Sequence, residues 1–258
     1  MTETPRIEIN GVSPTAVLLR AAAHNNYGHF TAMQVRNRRV RGLELHLARL
    51  AAANREVFGA ALDTGAVRDH IRHALGGDTR DASVRVYVLE LQDRPAVMVT
   101  VRPPGGMREG PWKLQSVPYQ RPVAHIKHAS DFGQGYYQRQ ARRNGFDEAL
   151  LTGPGGVICE GSTTNIGFSD GSAITWPDAP ALAGITMQLL NHQVPGVGLT
   201  SRREPIRIPD VSRFAAVFVT NARGIAAVGQ IDHRAVPVDA RLMKTLTDAY
   251  ESASWELF

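Results

Sequence analysis

The stretch "HIKHASDFGQGYYQRQARRNGFDEALLTGPGGVICEGSTTNIGF", residues 125–168, decides how the whole chain is interpreted. It places Lys127 between two histidines, ahead of a polar run typical of a helix and of several runs typical of strands. A lysine taken at random is a solvated charge, so Lys127 alone predicts no chemistry. Its sequence context has to decide whether it has a role.

Within this stretch, the polar run predicts a helix over residues 132–144 that Gly145 ends, followed by a series of β-hairpins. Successive strand side chains point to opposite faces, so Cys159 and Glu160 diverge. Cys159 is interpreted as a small core residue. Glu160, if it faces inward, needs a hydrogen-bonding or cationic partner. A solvated hairpin glutamate is the alternative.

The rest of the chain divides into two regions with different patterns. The first predicts short strands, a helix over residues 43–59, a second helix within "AVRDHIRHALGG", and two alternating strands. The proline-bounded segment after them predicts a connection. We expect two α+β domains with a site between them: a small N-terminal domain over residues 1–118, a connection over 119–124, and a large C-terminal domain over 125–258.

Composition excludes several classes of protein. The chain has 258 residues, of which 43% are hydrophobic and 21% charged, as in an ordinary globular protein. Its net charge is +5, but the arginines are spread out, apart from a short group at Arg36, Arg38, Arg39 and Arg41. The solvated face of a hairpin explains that group better than a nucleic-acid patch. We therefore expect no nucleic-acid partner.

The chain contains one cysteine, Cys159, which excludes a disulfide framework and a cysteine-based zinc site. No apolar stretch approaches the length of a membrane span, and "MTETPRIEIN" lacks a signal-peptide pattern. These features predict a cytoplasmic protein with no membrane partner.

Three places could bind an anion. "AGITMQLL" offers the backbone amides of Ile185 and Thr186 at a helix start, although Thr186 could be a plain N-cap. Thr220 and Asn221 end a buried strand in "VFVTNARG", which could also be an ordinary turn. Arg49 lies on the first long helix and could be a surface arginine. None of these signals decides the function alone.

Together, these features resemble the class IV aminotransferases, the fold-type IV enzymes that use pyridoxal 5′-phosphate. The lysine, a glutamate 33 positions later, the G-I-T helix start and the strand-ending Thr-Asn occur in that order, from about Tyr27 to about Asp232. The motif "HLARL" also matches. The resemblance implies a two-domain α+β fold, with a small α/β domain, a larger β-rich domain and the cofactor in the cleft between them. It also implies a homodimer.

The resemblance assigns a role to each matching position. Lys127 would bind the cofactor as a Schiff base and carry a proton between the substrate Cα and the cofactor C4′. Glu160 would keep the pyridine nitrogen protonated. The resemblance further implies a set of phosphate-binding residues: Arg49, Ile185, Thr186, Thr220 and Asn221.

Departures from the family pattern bear on the substrate. Phe132 replaces a tyrosine that in many members bonds the cofactor's phenolic oxygen. "YGHFTAM" is closer to the 4-amino-4-deoxychorismate lyases, whose paired threonines here read Thr31-Ala32, so the second hydroxyl is missing. Tyr27, His29 and Thr31 are candidate substrate residues, and packing of a strand end is the alternative for Tyr27 and His29.

Three functions remain open. The first is an aminotransferase that moves an amino group from an amino acid or amine to a 2-oxo acid or ketone. The second is a lyase on the same cofactor, which eliminates pyruvate from aminodeoxychorismate to give 4-aminobenzoate. The third is a binding protein without turnover, which would have no chemical need for Lys127. The arginines that could bind a substrate carboxylate are Arg121, Arg139 and Arg223.

Overall fold

The computed structural model describes residues 5–91 and 94–258. They form two compact units, each of which is described by itself. The first unit comprises the described residues up to Gly105 together with Ile126–Ser130 and Ser254–Phe258. The second unit comprises Gly106–His125 and Asp131–Ala253.

The first unit is a helix-covered antiparallel sheet. Its elements before Gly105 are β1 (Arg6–Ile9), α1 (Ala16–His24), β2 (Gly28–Val35), β3 (Arg39–Arg41), α2 (Leu43–Phe58), α3 (Thr64–Leu75), β4 (Ala82–Leu91) and β5 (Arg94–Arg102). Its main sheet has the strand order β1-β5-β4-β2. Apolar residues of α2 and α3 form one core cluster with those of β2, β4 and β5, so the two helices cover one face of the sheet.

The second unit is built on a larger mixed sheet. Its elements are β6 (Trp112–Val117), α4 (Phe132–Arg143), β7 (Glu148–Thr152), β8 (Ile158–Gly161), β9 (Asn165–Ser169), β10 (Ala173–Pro177), α5 (Ile185–Gln193), β11 (Thr200–Glu204), β12 (Ala216–Asn221), β13 (Gly224–Ile231), β14 (Arg234–Ala235) and α6 (Ala240–Glu251). Short 3₁₀ turns lie at Pro154–Gly156, Val194–Val197 and Ile208–Arg213. The strand order is β11-β10-β9-β12-β13-β6-β7-β8, and β14 pairs with β13. The last strand, β15 (Trp255–Leu257), belongs to the first unit, where it pairs with β3.

The long helices and the hairpins match the sequence-based predictions. Helix α2 buries Leu43, Leu47 and Leu50 at helical spacing and ends at Gly59, whose φ of 64° lies in the left-handed region. Helix α4 and the hairpin strands β7 to β10 are likewise confirmed. Helix α1 and strand β11 were not predicted. The first is only nine residues long and buries none of them fully, and the second is a polar, mostly exposed strand without apolar alternation.

The division into units differs from the expected domain boundaries. The predicted connection, residues 119–124, lies in the second unit, whereas Lys127 and its neighbours belong to the first. The reason is a pair of backbone hydrogen bonds to β2. The Phe30 N–H donates to the Lys127 carbonyl at 2.8 Å, and the Ala129 N–H donates to the Gly28 carbonyl at 2.8 Å.

The arginine group at residues 36–41 serves the local structure. Arg36 and Arg38 donate to backbone carbonyls of the first unit, and the Arg41 guanidinium lies 4.0 Å from the ring centroid of Trp255. The group does lie at the turn after β2, but Arg36, Arg38 and Arg41 are partly buried and only Arg39 is exposed, so the predicted solvated hairpin face is only partly correct. In the part of the chain that the structure describes, no helix has both the length and the apolar character needed to cross a membrane.

Candidate active site

Lys127 lies beside strand β2, on the face that carries Phe30. Its Nζ is 4.7 Å from the centroid of the Phe30 ring, and that ring stacks on Tyr87 of β4 at 5.0 Å. Lys127 is half-buried, whereas the other lysines, Lys113 and Lys244, are exposed. Backbone pairing with β2, the last strand of the main sheet of the first unit, therefore fixes the position of Lys127.

The opposite face of β2 carries a buried polar cluster. Thr31 is fully buried, and its Oγ1 lies 2.6 Å from Nδ1 of His46 on α2. The Nη2 of Arg49, one turn further along α2, donates to the same oxygen. Because side chains alternate along a strand, Thr31 points away from the face of Phe30, and Ala32 points to the same face as Phe30. We call Thr31, His46 and Arg49 the α2 polar cluster.

The α2 polar cluster combines one cation with neutral groups. Burial lowers the pKa of His46 well below its usual range, and the charges of Arg49 and Lys127 act in the same direction. Burial also lowers the pKa of Arg49 to about 10, so its guanidinium stays charged at neutral pH. Within the described part of the chain, the buried Nε of Arg49 has no hydrogen-bond partner. Arg49 therefore keeps a buried donor available for an anion.

Glu160 is buried in β8, and Arg121 is its partner. The Nη1 of Arg121 donates to Oε1 of Glu160 at 2.9 Å, and the two side chains are only 4% and 6% exposed. The backbone N–H of Leu182 donates to Oε2 at 3.1 Å. Strand alternation predicted that this carboxylate needs a cationic or hydrogen-bonding partner, but not which residue supplies it. Arg121, a candidate for reading a substrate carboxylate, is instead paired with Glu160.

The predicted phosphate-binding residues of the second unit come together at the start of α5 and the end of β12. Ile185 and Thr186 begin α5. The N-cap residue is Gly184, which has no side chain to cap the first N–H groups of the helix. The Oγ1 of Thr186 donates to the Asn221 carbonyl at 2.7 Å. The Oγ1 of Thr220 is buried and has no hydrogen-bond partner among the described residues. These groups meet at a helix N-terminus, where backbone N–H groups favour an anion.

The remaining candidates occupy varied positions. Tyr27 is 58% exposed, and its ring packs edge-on against Phe58 of α2. His29 is buried on the same face of β2 as Thr31, and burial lowers its pKa to about 4. Phe132 begins α4 and is 80% exposed. Arg139 and Arg223 are exposed side chains, so they remain open to solutes.

Glu148 is a buried carboxylate that the sequence patterns did not single out. Its Oε1 accepts hydrogen bonds from Ser162 Oγ at 3.1 Å and from Thr163 Oγ1 at 2.7 Å, and its Oε2 accepts from Thr164 Oγ1 at 2.7 Å. Burial raises the pKa of Glu148, while these hydrogen bonds oppose that shift. The run "STT" after β8 was the signal that could have indicated a buried acceptor, because three successive hydroxyl groups need hydrogen-bond acceptors. Glu148 thus fixes the turn between β8 and β9.

The candidate residues therefore fall into two sets. Lys127, Arg49, His29 and Thr31 belong to the first unit, around β2 and α2. The set in the second unit consists of Glu160, Arg121, Ile185, Thr186, Thr220 and Asn221. Each set combines charged groups with buried hydrogen-bond donors.

Known proteins resemble this chain in sequence and in fold. A "Probable branched-chain-amino-acid aminotransferase" of Rickettsia felis is 31% identical over 113 residues, which cover 43% of this chain and 38% of that relative. The match thus spans well under half of the relative's length. A hypothetical aminotransferase from Mycobacterium tuberculosis, solved in its PLP-bound form, has a TM-score of 0.84 and 18% identity, covering 97% of this chain and 98% of its own.

A putative 4-amino-4-deoxychorismate lyase from Legionella pneumophila has a TM-score of 0.81 and 17% identity, covering 89% of this chain and 92% of its own. These structures confirm the expected α+β fold-type IV architecture. The sequence pattern of the family described as "Amino-transferase class IV" matches residues 28–231. That match spans most of the chain, and the protein therefore belongs to the class IV aminotransferases.

Proposed function

We propose that the protein is a pyridoxal 5′-phosphate-dependent aminotransferase that transfers an amino group from an amino acid or amine to a 2-oxo acid or ketone. The observation that carries this proposal is Lys127. In a chain with three lysines, it alone lies within the family's lysine motif, half-buried and fixed by backbone hydrogen bonds to β2. A protein that only binds ligands has no need for an amine held in this way.

The residues of the chain fit the phosphate of this cofactor. Arg49 carries a positive charge and a buried Nε without a partner, and Thr220 has a buried hydroxyl without a partner, both judged over the described residues. Buried polar groups are normally hydrogen-bonded, so each of these donors, one in each unit, suits an acceptor oxygen of an anion. The uncapped N–H groups at the start of α5 have the same preference.

Glu160 and Arg121 act as a pair toward the pyridine ring. Arg121 and the Leu182 N–H hold the Glu160 carboxylate in place and stabilise its negative charge. An ionised Glu160 keeps a proton on the pyridine nitrogen. Pyridoxal phosphate, when bound, supplies an electron sink for the negative charge that develops at the substrate Cα. Holding that proton is the part of this chemistry that falls to Glu160.

Lys127 moves the proton that transamination requires. With substrate and cofactor bound, the Lys127 amine would accept a proton from the substrate Cα and return it at C4′. The face of the Phe30 ring attracts the protonated form of the amine. This attraction offsets part of the free-energy cost of removing the ammonium group from water. The half-buried position also restricts the approach of water to this step.

The lyase is the second candidate, favoured by the sequence around Thr31 and by the Legionella neighbour. In the 4-amino-4-deoxychorismate lyases, the second of two paired threonines would supply a hydroxyl that assists proton transfer. Here Ala32 lies on the Phe30 face of β2 without a hydroxyl, and the Thr31 hydroxyl faces α2, bonded to His46 and Arg49. Thr31 therefore does not replace the missing group, and transamination does not require it.

Bleaching of the visible band distinguishes the two reactions. An aminotransferase keeps the amino group on its cofactor until an acceptor takes it, so an amino donor alone should remove the visible absorption of the bound cofactor. A 2-oxo acid should restore it. A panel of amino donors with pyruvate and 2-oxoglutarate, followed by absorbance and mass spectrometry, measures this. Release of 4-aminobenzoate from aminodeoxychorismate, without bleaching by any donor, would reverse the assignment.

The protein is further proposed to work as a homodimer. This rests on the family, in which both subunits shape the substrate pocket, and a twofold contact of one surface with itself is the commonest assembly. Phe132 and Tyr136 also expose apolar rings on α4, stacked 6.3 Å apart, which a second copy could bury. Sedimentation at micromolar concentration should give twice the 28.1 kDa of one chain. A fully active monomer under these conditions would contradict it.

A further inference from the structure

The α2 polar cluster has a definite order of hydrogen-bond donors. A guanidinium has donors only, so the Thr31 oxygen accepts from Arg49. Thr31 then has one proton to donate, and Nδ1 of His46 lies 2.6 Å away. Burial keeps His46 neutral by lowering its pKa, so Nδ1 is able to accept. The chain of donors therefore runs from Arg49 through Thr31 to His46, with the histidine proton on Nε2.

This order of donors fixes the position of the Arg49 guanidinium. His46 and Arg49 lie three residues apart on the same side of α2, and Thr31 holds one arm of the guanidinium against the sheet. The buried Nε has no partner in the described parts of the chain, so at least one donor remains for a ligand. A long arginine side chain otherwise loses much conformational entropy when it binds an anion. Fixing it before binding reduces that loss.

We propose that Thr31 is a positioning residue, which together with His46 holds Arg49 ready to bind the cofactor's phosphate, rather than a residue that contacts the substrate. The inference rests on the proposed function, because it takes Arg49 to bind that phosphate. The observations behind it are the buried Thr31 hydroxyl with two partners, its place on the β2 face opposite Phe30, and the open Nε of Arg49. Thr31 is also fully buried, and its one proton is already donated to His46.

The test compares two forms of the cofactor. Apo-protein is titrated with pyridoxal 5′-phosphate and with pyridoxal, which lacks the phosphate, and visible absorbance gives each Kd. Thr31→Val keeps the shape and removes the hydroxyl. It should raise the Kd of pyridoxal 5′-phosphate about tenfold and that of pyridoxal less than about twofold, as expected for one lost hydrogen bond to a charged group. Thr31→Ser should restore the wild-type ratio of the two Kd values.

Thr175→Val is the matched control, because Thr175 is also a buried strand threonine but lies on β10 with no hydrogen-bond partner for its hydroxyl among the described residues. It should leave the ratio unchanged. A Thr31→Val protein that binds both compounds as the wild type does, or that loses affinity equally for both, would overturn the inference.

Arg49→Met shows whether a negative result disproves only the role of Thr31 or also the assignment of Arg49 to the phosphate. If Arg49→Met binds pyridoxal 5′-phosphate with the wild-type preference over pyridoxal, Arg49 is not a phosphate ligand, and the assignment in the proposed function fails together with the inference. If Arg49→Met loses that preference and Thr31→Val retains it, only the role of Thr31 fails. Circular dichroism of every variant confirms that the compared proteins are folded.

Discussion

Lys127→Ala is expected to abolish turnover while leaving the protein folded. The substitution removes the amine that binds the cofactor and the base that carries the proton, so the rate should fall by at least about four orders of magnitude. It also removes the interaction of the ammonium group with the Phe30 ring, which contributes only about 0.5–1 kcal/mol. Steady-state turnover with a donor and a 2-oxo acid, alongside thermal unfolding, measures both effects.

Two lysine variants provide controls for this result. Lys113 and Lys244 are exposed, so Lys113→Ala and Lys244→Ala should retain the turnover and the visible band of the wild type. Lys127→Ala should lose both, although phosphate contacts still allow the cofactor to bind without a covalent bond. Turnover in Lys127→Ala within tenfold of the wild type would remove Lys127 from the mechanism.

Glu160→Gln is expected to lower turnover by about two orders of magnitude or more, a barrier increase near 3 kcal/mol. The amide preserves the size of the side chain but lacks the charge that holds the proton on the pyridine nitrogen. It also leaves the Arg121 guanidinium buried without its negative partner, and breaking a buried pair costs roughly 3–5 kcal/mol of stability. Turnover therefore has to be measured well below the unfolding transition.

Glu148→Gln is the matched control for the cost in stability. Glu148 is also a buried glutamate of the second unit, but its partners are neutral hydroxyl groups and the Thr163 N–H, and it has no proposed role in the chemistry. This variant should unfold more easily and still turn over at close to the wild-type rate. If Glu160→Gln also loses only stability and keeps a turnover close to that of the wild type, Glu160 has a structural role and is not part of the mechanism. Cofactor binding should persist in both variants.

Local patterns predicted much of the fold. Helix α2 followed from leucines at helical spacing and a terminal glycine, and the hairpins around Glu160 followed from turn residues between short apolar runs. Both signals depend on neighbours in sequence. Once β2 is placed, strand alternation also explains the opposite directions of Thr31 and Ala32.

Contacts between distant residues could not be predicted in this way. Arg121 and Glu160 are 39 residues apart, and no spacing rule identifies which of several arginines pairs with a buried carboxylate. Lys127 follows the proline-bounded connection in sequence, yet its backbone bonds to β2 place it in the first unit. The partners of the Thr31 hydroxyl come from a helix that begins twelve residues later. Such contacts depend on tertiary packing, which periodicity does not encode.

Borohydride reduction of the holoenzyme, followed by peptide mapping, identifies the lysine that binds the cofactor. Reduction makes the link between cofactor and lysine permanent, and the chain has three lysines to distinguish: Lys113, Lys127 and Lys244. We expect the visible band to disappear and the pyridoxyl mass to lie on the peptide containing Lys127. A pyridoxyl mass on Lys113 or Lys244, or on no peptide at all, would contradict it.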